Sequence, residues 1–268
     1  FFFKQKPPYE MLRSLVGSEM CIRDRPPTAP PRFVALQRIS ALTPDVARPQ
    51  APLTNTQQKS TMIYKVATMM AMFGAAAAEH WAVIVAGSSG YGNYRHQADA
   101  CHAYQVVIKG GIKPENVILL AVDDIANYRT NPFPGQVFNK PTDAGTPGVD
   151  VYDGCVIDYK GTDVTPETFT KVLTGDDSAG GKVLKSGADD RVFVNFVDHG
   201  AGGLIGFPTS QMHATELLAA LQKMHDASMY KELVFYLEAC ESGSMFQDLP
   251  ADINIYATSA ANGAARHR

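Results

Sequence analysis

Cysteine is scarce: the chain has four in 268 residues. That excludes a disulfide-dense scaffold. A basic excess is missing too, since 24 Lys and Arg stand against 27 Asp and Glu, for a formal charge of -3. Nucleic-acid binders usually carry a clear positive balance, so none is expected as a partner. No apolar run reaches the roughly 20 residues that span a bilayer. Asn-x-Ser/Thr sequons are absent, and Asn131 is followed by Pro132, so N-glycosylation is not expected. His80, His213, His225 and His267 show no paired spacing with Cys or carboxylates, so neither a metal nor another cofactor is expected. What remains is 45% hydrophobic and 19% charged, the composition of a folded α/β-sized domain rather than a disordered chain.

Organisation changes along the chain. Residues 1–61 lack helical or strand periodicity and contain a proline-rich stretch around Pro26, Pro27, Pro30 and Pro31. They read as a leader that cannot bury a core. Its opening, FFFKQKPPYEMLRSLVGSEMCIRDR, resembles translated sequencing-adapter read-through, which implies that residues 1–25, Cys21 included, are foreign to the protein. Met62 is the expected start. Lys65, an apolar stretch and then Ala75 to Ala78 follow, the order of a secretory signal peptide over 62–78.

From residue 79 on, strands and helices alternate. The apolar run Trp81 to Ala86 reads as a buried strand. Over 93–109, Ala100, Ala103, Tyr104 and Val107 recur at helical spacing, with Cys101 and Ile108 beside them. Val117–Val122 is a second strand. Residues 123–165 form a long excursion, in which Asp123-Asp124 reads as a strand-end turn rather than a cation site. Thr165-Pro166 caps a short helix to Leu173. Val192–Val197 is a third strand, and Leu204 to Phe207 suggests a small hairpin. Leu217, Leu218, Leu221 and Met224 mark another helix, Leu233–Leu237 a fourth strand and Ile253–Ala257 a fifth. This order predicts a mostly parallel sheet with helices on both faces.

Chemistry concentrates where two strands end, the usual place for ligand and catalytic groups in open α/β sheets. The third strand runs into Asp198-His199-Gly200 and the fourth into Glu238-Ala239-Cys240-Glu241-Ser242. If the strands are neighbours, an imidazole can reach a thiol. A lone thiol is mostly protonated at neutral pH; an imidazole beside it can take its proton and later return it to a leaving amine. Gly200 leaves room for backbone N–H groups near a reacting carbonyl. The residues alone also allow plainer readings. Cys240 can be an inert thiol at the edge of the core. Asn93 can be a helix N-cap, Arg95 a surface charge and Glu238 a satisfied strand-end acid. His102 reads as packing, and Cys101 and Cys155 as free thiols.

The stretches HWAVIVAGSSGYGNYRHQADACHAY, DDIANYRTNPFPG, VDHGAGG, FYLEACESGSMFQDLP and INIYATSAAN resemble the legumain family, the asparaginyl endopeptidases among the caspase-like cysteine peptidases. The resemblance runs from His80 to Asn262. It implies a caspase-like α/β/α sandwich over 79–262 and a cysteine endopeptidase that cleaves after Asn, after Asp only in acid, with transpeptidation as a further activity. It implies Cys240 as nucleophile, His199 as general base and acid, Asn93 as the group orienting the imidazole, and Gly200 with Cys240 as oxyanion donors. Arg95 and Glu238 are implied to hold the substrate side chain, with His96 nearby. Protein or peptide substrates and a vacuolar, lysosomal or secreted location follow. The related catalytic subunit of the GPI-anchor transamidase typically carries Thr-Gly-His-Gly and Asp-Thr-Cys-Gln, which this chain does not.

Two departures stand out. The family usually has a bulky aromatic pair before the NYRH asparagine, where this chain has Tyr91-Gly92. The family also continues past Asn262 into a further strand with a Ser and an Asp of the specificity pocket, then an activation linker and a helical prodomain. Residues 263–268 do not match it, so the expectation is a chain that stops short of these parts. That leaves a caspase-like binding module or truncated pseudoenzyme as the alternative reading.

Overall fold

A computed structural model describes residues 78–139 and 148–263. Apart from Ala78 and Gly263, the expected leader, signal and C-terminal tail lie outside the described residues.

The central sheet has five strands in the order β2-β1-β3-β7-β8. These are β1 His80–Ala86, β2 Val117–Leu120, β3 Arg191–Val197, β7 Glu232–Glu238 and β8 Ile255–Ser259. All of its pairings are parallel. A small antiparallel sheet of β4 Gly200–Ala201, β5 Leu204–Phe207 and β6 Ser210–His213 follows β3 directly.

The helices cover the two faces according to the period-two pattern of the strands. On β1, Ala82, Ile84 and Ala86 cluster with Ala100, Tyr104 and Val107 of helix α1, Tyr94–Lys109. The alternate residues Val83 and Val85 join the larger core. That core includes Phe169 and Val172 of α2, Pro166–Leu173, and Leu217 and Leu221 of α3, Ala214–Asp226. Within it Phe196 lies 5.7 Å from Phe169 and 5.3 Å from Phe207, centroid to centroid. The architecture is the expected α/β/α sandwich. Thr165 caps α2 as the sequence indicates, its Oγ1 accepting from the Thr168 N–H at 3.1 Å.

Some expectations need correction. The second strand ends at Leu120 rather than Val122, because the Ala121 N–H turns to the Tyr159 carbonyl at 3.0 Å. The fifth strand begins at Ile255, not Ile253. Asn254 adopts a left-handed conformation with φ 53°, and its carbonyl accepts from the Leu233 N–H, so regular pairing starts one residue later. His102 does more than pack: its Nδ1 pairs with Asn139 Oδ1 at 2.9 Å. Asp123 and Asp124 lie in an irregular segment past β2, ahead of the turn at 126–127. Asp123 accepts from Tyr152 and Lys160, and Asp124 from the Gly90 N–H.

Cys101 and Cys155 are not free thiols but a disulfide, with Cα atoms 5.6 Å apart. The excursion after β2 folds back over the outer face of α1, bringing Ile125, Ala126, Val137 and Val151 against Ala98 and Cys101. Tyr94 accepts from the Phe138 N–H at 2.6 Å, and Gln105 donates to the Val151 and Asp153 carbonyls. The crosslink closes a loop across 54 positions. Removing loop-closure entropy from the unfolded chain over that span stabilises by about 4 kcal/mol in the chain-entropy treatment. The Cys101→Ala/Cys155→Ala variant is therefore expected to lose about 3–4 kcal/mol, read as a fall in the urea midpoint measured without reductant.

Candidate active site

Three parallel strands end side by side, and the candidate residues lie just beyond them. Register pairs Ala86 with Val197 and Val197 with Glu238. Backbone bonds extend the alignment past the strand ends, from the Gly87 N–H to the Val197 carbonyl at 3.1 Å and from the Asp198 N–H to the Glu238 carbonyl at 3.0 Å. His199 and Cys240 therefore follow equivalent positions on adjacent strands. Both are exposed. A Cβ on Gly200 would stand 2.6 Å from the Cys240 carbonyl oxygen and 3.0 Å from Ala239 Cβ. Only glycine allows the two chains to approach this closely.

Cys240 sits on a sharp turn. Glu241 after it is left-handed with φ 52°, which costs a non-glycine residue about 1–2 kcal/mol. Surrounding bonds hold it there. Its carbonyl accepts from the Ser244 N–H and hydroxyl, and the same hydroxyl accepts from the Gly203 N–H at 2.8 Å.

Beyond β1 the chain enters α1, which follows Asn93 and carries Arg95 and His96. Asn93 occupies the N-cap position, yet its side chain makes no capping bond. Its Nδ2 donates to the Ser89 carbonyl at 2.8 Å, and its Oδ1 meets His199 Nε2 at 2.8 Å. The donor role of Nδ2 fixes the amide orientation, so Oδ1 is the acceptor. His199 must then donate from Nε2, leaving its lone pair on Nδ1.

His96 is buried beneath this pair. Its Nδ1 lies 2.6 Å from Ser88 Oγ and 3.2 Å from Asp198 Oδ1, and its ring meets that of His199 edge-on at 5.0 Å. Asp198 is also buried. Its other oxygen is packed so tightly that a Cβ on Gly87 or Gly206 would come within 2.7 or 2.6 Å of it.

Arg95 is exposed, and Glu238 is open to solvent on one side while protein crowds the other. The Glu238 carboxyl lies above the usual carboxylate range, chiefly because of desolvation and then because of Asp99; His96 and Arg95 pull it the other way. These four groups share one field. Asp99, which sequence reasoning missed, is itself raised by burial and bonded to Asn139. Its signal was its place one helical turn after Arg95 on the same face. Asp198 and Ser88 were missed as the partners of His96, and nothing local in the sequence points to them.

With this geometry in view, comparison with known proteins is direct. The sequence pattern of the Peptidase C13 family matches residues 80–266. The chain belongs to that family. The C13 region is 54% identical over 189 residues to legumain of Mus musculus, covering 69% of this chain and 42% of the relative. It is 56% identical over 183 residues to hemoglobinase of Schistosoma mansoni, covering 68% and 42%. It is 51% identical over 188 residues to the vacuolar-processing enzyme beta-isozyme of Arabidopsis thaliana, covering 68% and 38%. The matched part is thus less than half the length of each of these C13 relatives.

The raised Glu238 has a consequence for stability. The folded state binds its proton more tightly than the unfolded chain does. Its contribution is complete below the unfolded carboxylate range and is lost as pH rises through the raised folded value. Glu238→Gln is expected to raise the Tm near pH 7 by more than it does near pH 4, and thermal denaturation at the two pH values checks it.

Proposed function

We propose that the protein is a cysteine endopeptidase that cleaves peptide bonds after Asn. The observation that carries the reading is the pairing of strand ends: His199 and Cys240 follow adjacent parallel strands, with His199 Nε2 held by Asn93. The free lone pair on Nδ1 suits removal of the thiol proton. The thiolate sulfur attacks the scissile carbonyl carbon and gives a tetrahedral oxyanion, which the N–H groups of Gly200 and Cys240 stabilise. As the C–N bond breaks, the imidazolium returns the proton to the leaving amine. A thioester remains. Water, deprotonated by the same imidazole, then releases the acid and restores the thiol. An incoming peptide amine in place of water would give transpeptidation.

Arg95 and Glu238 account for the preference for Asn. The side-chain carbonyl accepts from the Arg95 guanidinium, and the amide nitrogen donates to the Glu238 carboxylate. An Asp carboxylate would face Glu238 as a like charge. Because Glu238 is held above its ordinary range, it gains a proton in milder acid than a free carboxyl would, and Asp becomes acceptable there.

An acidic compartment of the secretory pathway fits this chemistry. The Cys101–Cys155 disulfide requires an oxidising route, and one relative is named a vacuolar-processing enzyme. Among the described residues no helix is long and apolar enough to cross a membrane.

Cys240→Ala is expected to abolish hydrolysis of Asn peptides while the Tm stays within about a degree or two, since the exposed thiol carries little packing. Residual cleavage by that variant would reject the nucleophile. Arg95→Ala should lower kcat/KM for Asn peptides by about a hundredfold, a loss of roughly 3 kcal/mol of charge-assisted hydrogen bonding. The ratio of Asp to Asn cleavage should rise about tenfold or more from near pH 7 to near pH 5 in the parent protein. Peptide kinetics across that range check both.

A further inference from the structure

We propose that His96, Asp198 and His199 form an inhibitory site for a divalent zinc ion. Each offers one ligand atom, and the three atoms lie within 4.8 Å of one another. Two imidazoles and a carboxylate form a set that suits zinc and leaves a fourth position for water.

The site is built rather than incidental. Asp198 and His96 are 6% and 3% exposed. Asp198 Oδ1 is buried without a hydrogen bond; its neighbour is His96 Nδ1 at 3.2 Å, an ion-pair contact when that ring is protonated. A buried carboxylate oxygen that faces a neutral imidazole without a hydrogen bond is costly, and a cation between it and the two rings would satisfy it. The backbones at Gly87 and Gly206 wall in the other oxygen, so the carboxylate cannot swing away. His199 is the exposed member and gives the ion a way in from solvent.

Cys240 is not one of the three ligands. The site therefore differs from general capture of metal by a reactive thiol. The consequence for activity rests on the proposed role of His199. With Nε2–H committed to Asn93, the lone pair that would bind the ion is the one needed to take the thiol proton. Zinc binding and proton abstraction are then mutually exclusive, and a chelator restores activity.

The test separates the site from the enzymology. In the chelator-treated full chain carrying Cys240→Ala, titration with zinc chloride in a calorimeter should show one ion bound per chain. Adding His199→Ala, a change at an exposed position, should weaken binding by about tenfold or more. His96→Ala on the same background should do likewise. Absence of binding in Cys240→Ala, or affinity unchanged by His199→Ala, overturns the proposal. Peptide hydrolysis by the Cys240-containing chain in chelator is measured separately. Its failure would count against the peptidase reading and leave the calorimetric result to decide the zinc site.

Discussion

The parallel register of β1, β3 and β7 is the constraint on which the rest depends. Parallel strands of equal phase end at one edge, so whatever follows each of them is delivered to the same place. Here that edge receives Gly87 with Ser88, then Asp198 with His199, then Ala239 with Cys240. Two backbone bonds, Gly87 to Val197 and Asp198 to Glu238, carry the alignment one residue beyond the strands. A slip of one residue in β7 would turn Cys240 to the opposite face and take it from His199. The buried Val192, Val194 and Phe196 of β3, and Leu233, Phe235 and Leu237 of β7, forbid such a slip because they belong to one core face.

A second layer of constraint comes from α1. Asn93 is its N-cap and its first turn carries Arg95 and His96, so its orientation decides whether the imidazole of His199 is held. The inner face packs on β1 through Ala100, Tyr104 and Val107. The outer face is clasped by the excursion after β2 through a small apolar cluster, the Tyr94 and Gln105 hydrogen bonds and the disulfide. Tyr91, just before Asn93, stacks on Tyr128 of the same excursion at 5.0 Å. A long surface segment thus serves as a brace for the helix that bears the candidate specificity residues.

Much of this was legible in the sequence. Short apolar runs such as Val83 to Ala86 and Leu233 to Leu237, closed by turn residues, read as strands, and Thr165-Pro166 announces a helix start. The residues after the third and fourth strands stood out because of where they fall. What escaped were relations between distant segments. Asn93 in a local window looks like a cap; its partner is His199, which no window contains. The pairing of Cys101 with Cys155 depends on the excursion folding back, which spacing does not reveal. Asn254 lies within the strand-like run Ile253–Ala257, yet a left-handed backbone there delays the strand to Ile255. Asp198 reads as an ordinary acid before a histidine, and only the glycines packed around it show that it is buried.

The central claim is that strand-end geometry makes Cys240 the nucleophile for bonds that follow Asn. The most direct measurement is mass-spectrometric mapping of the adduct formed with a peptide that ends in Asn and carries a thiol-reactive electrophile in place of the scissile bond. The account predicts a single adduct on Cys240, formed at a rate that a competing Asn peptide suppresses. An adduct on another residue, or no adduct on a folded chain with Cys240 reduced, would contradict it.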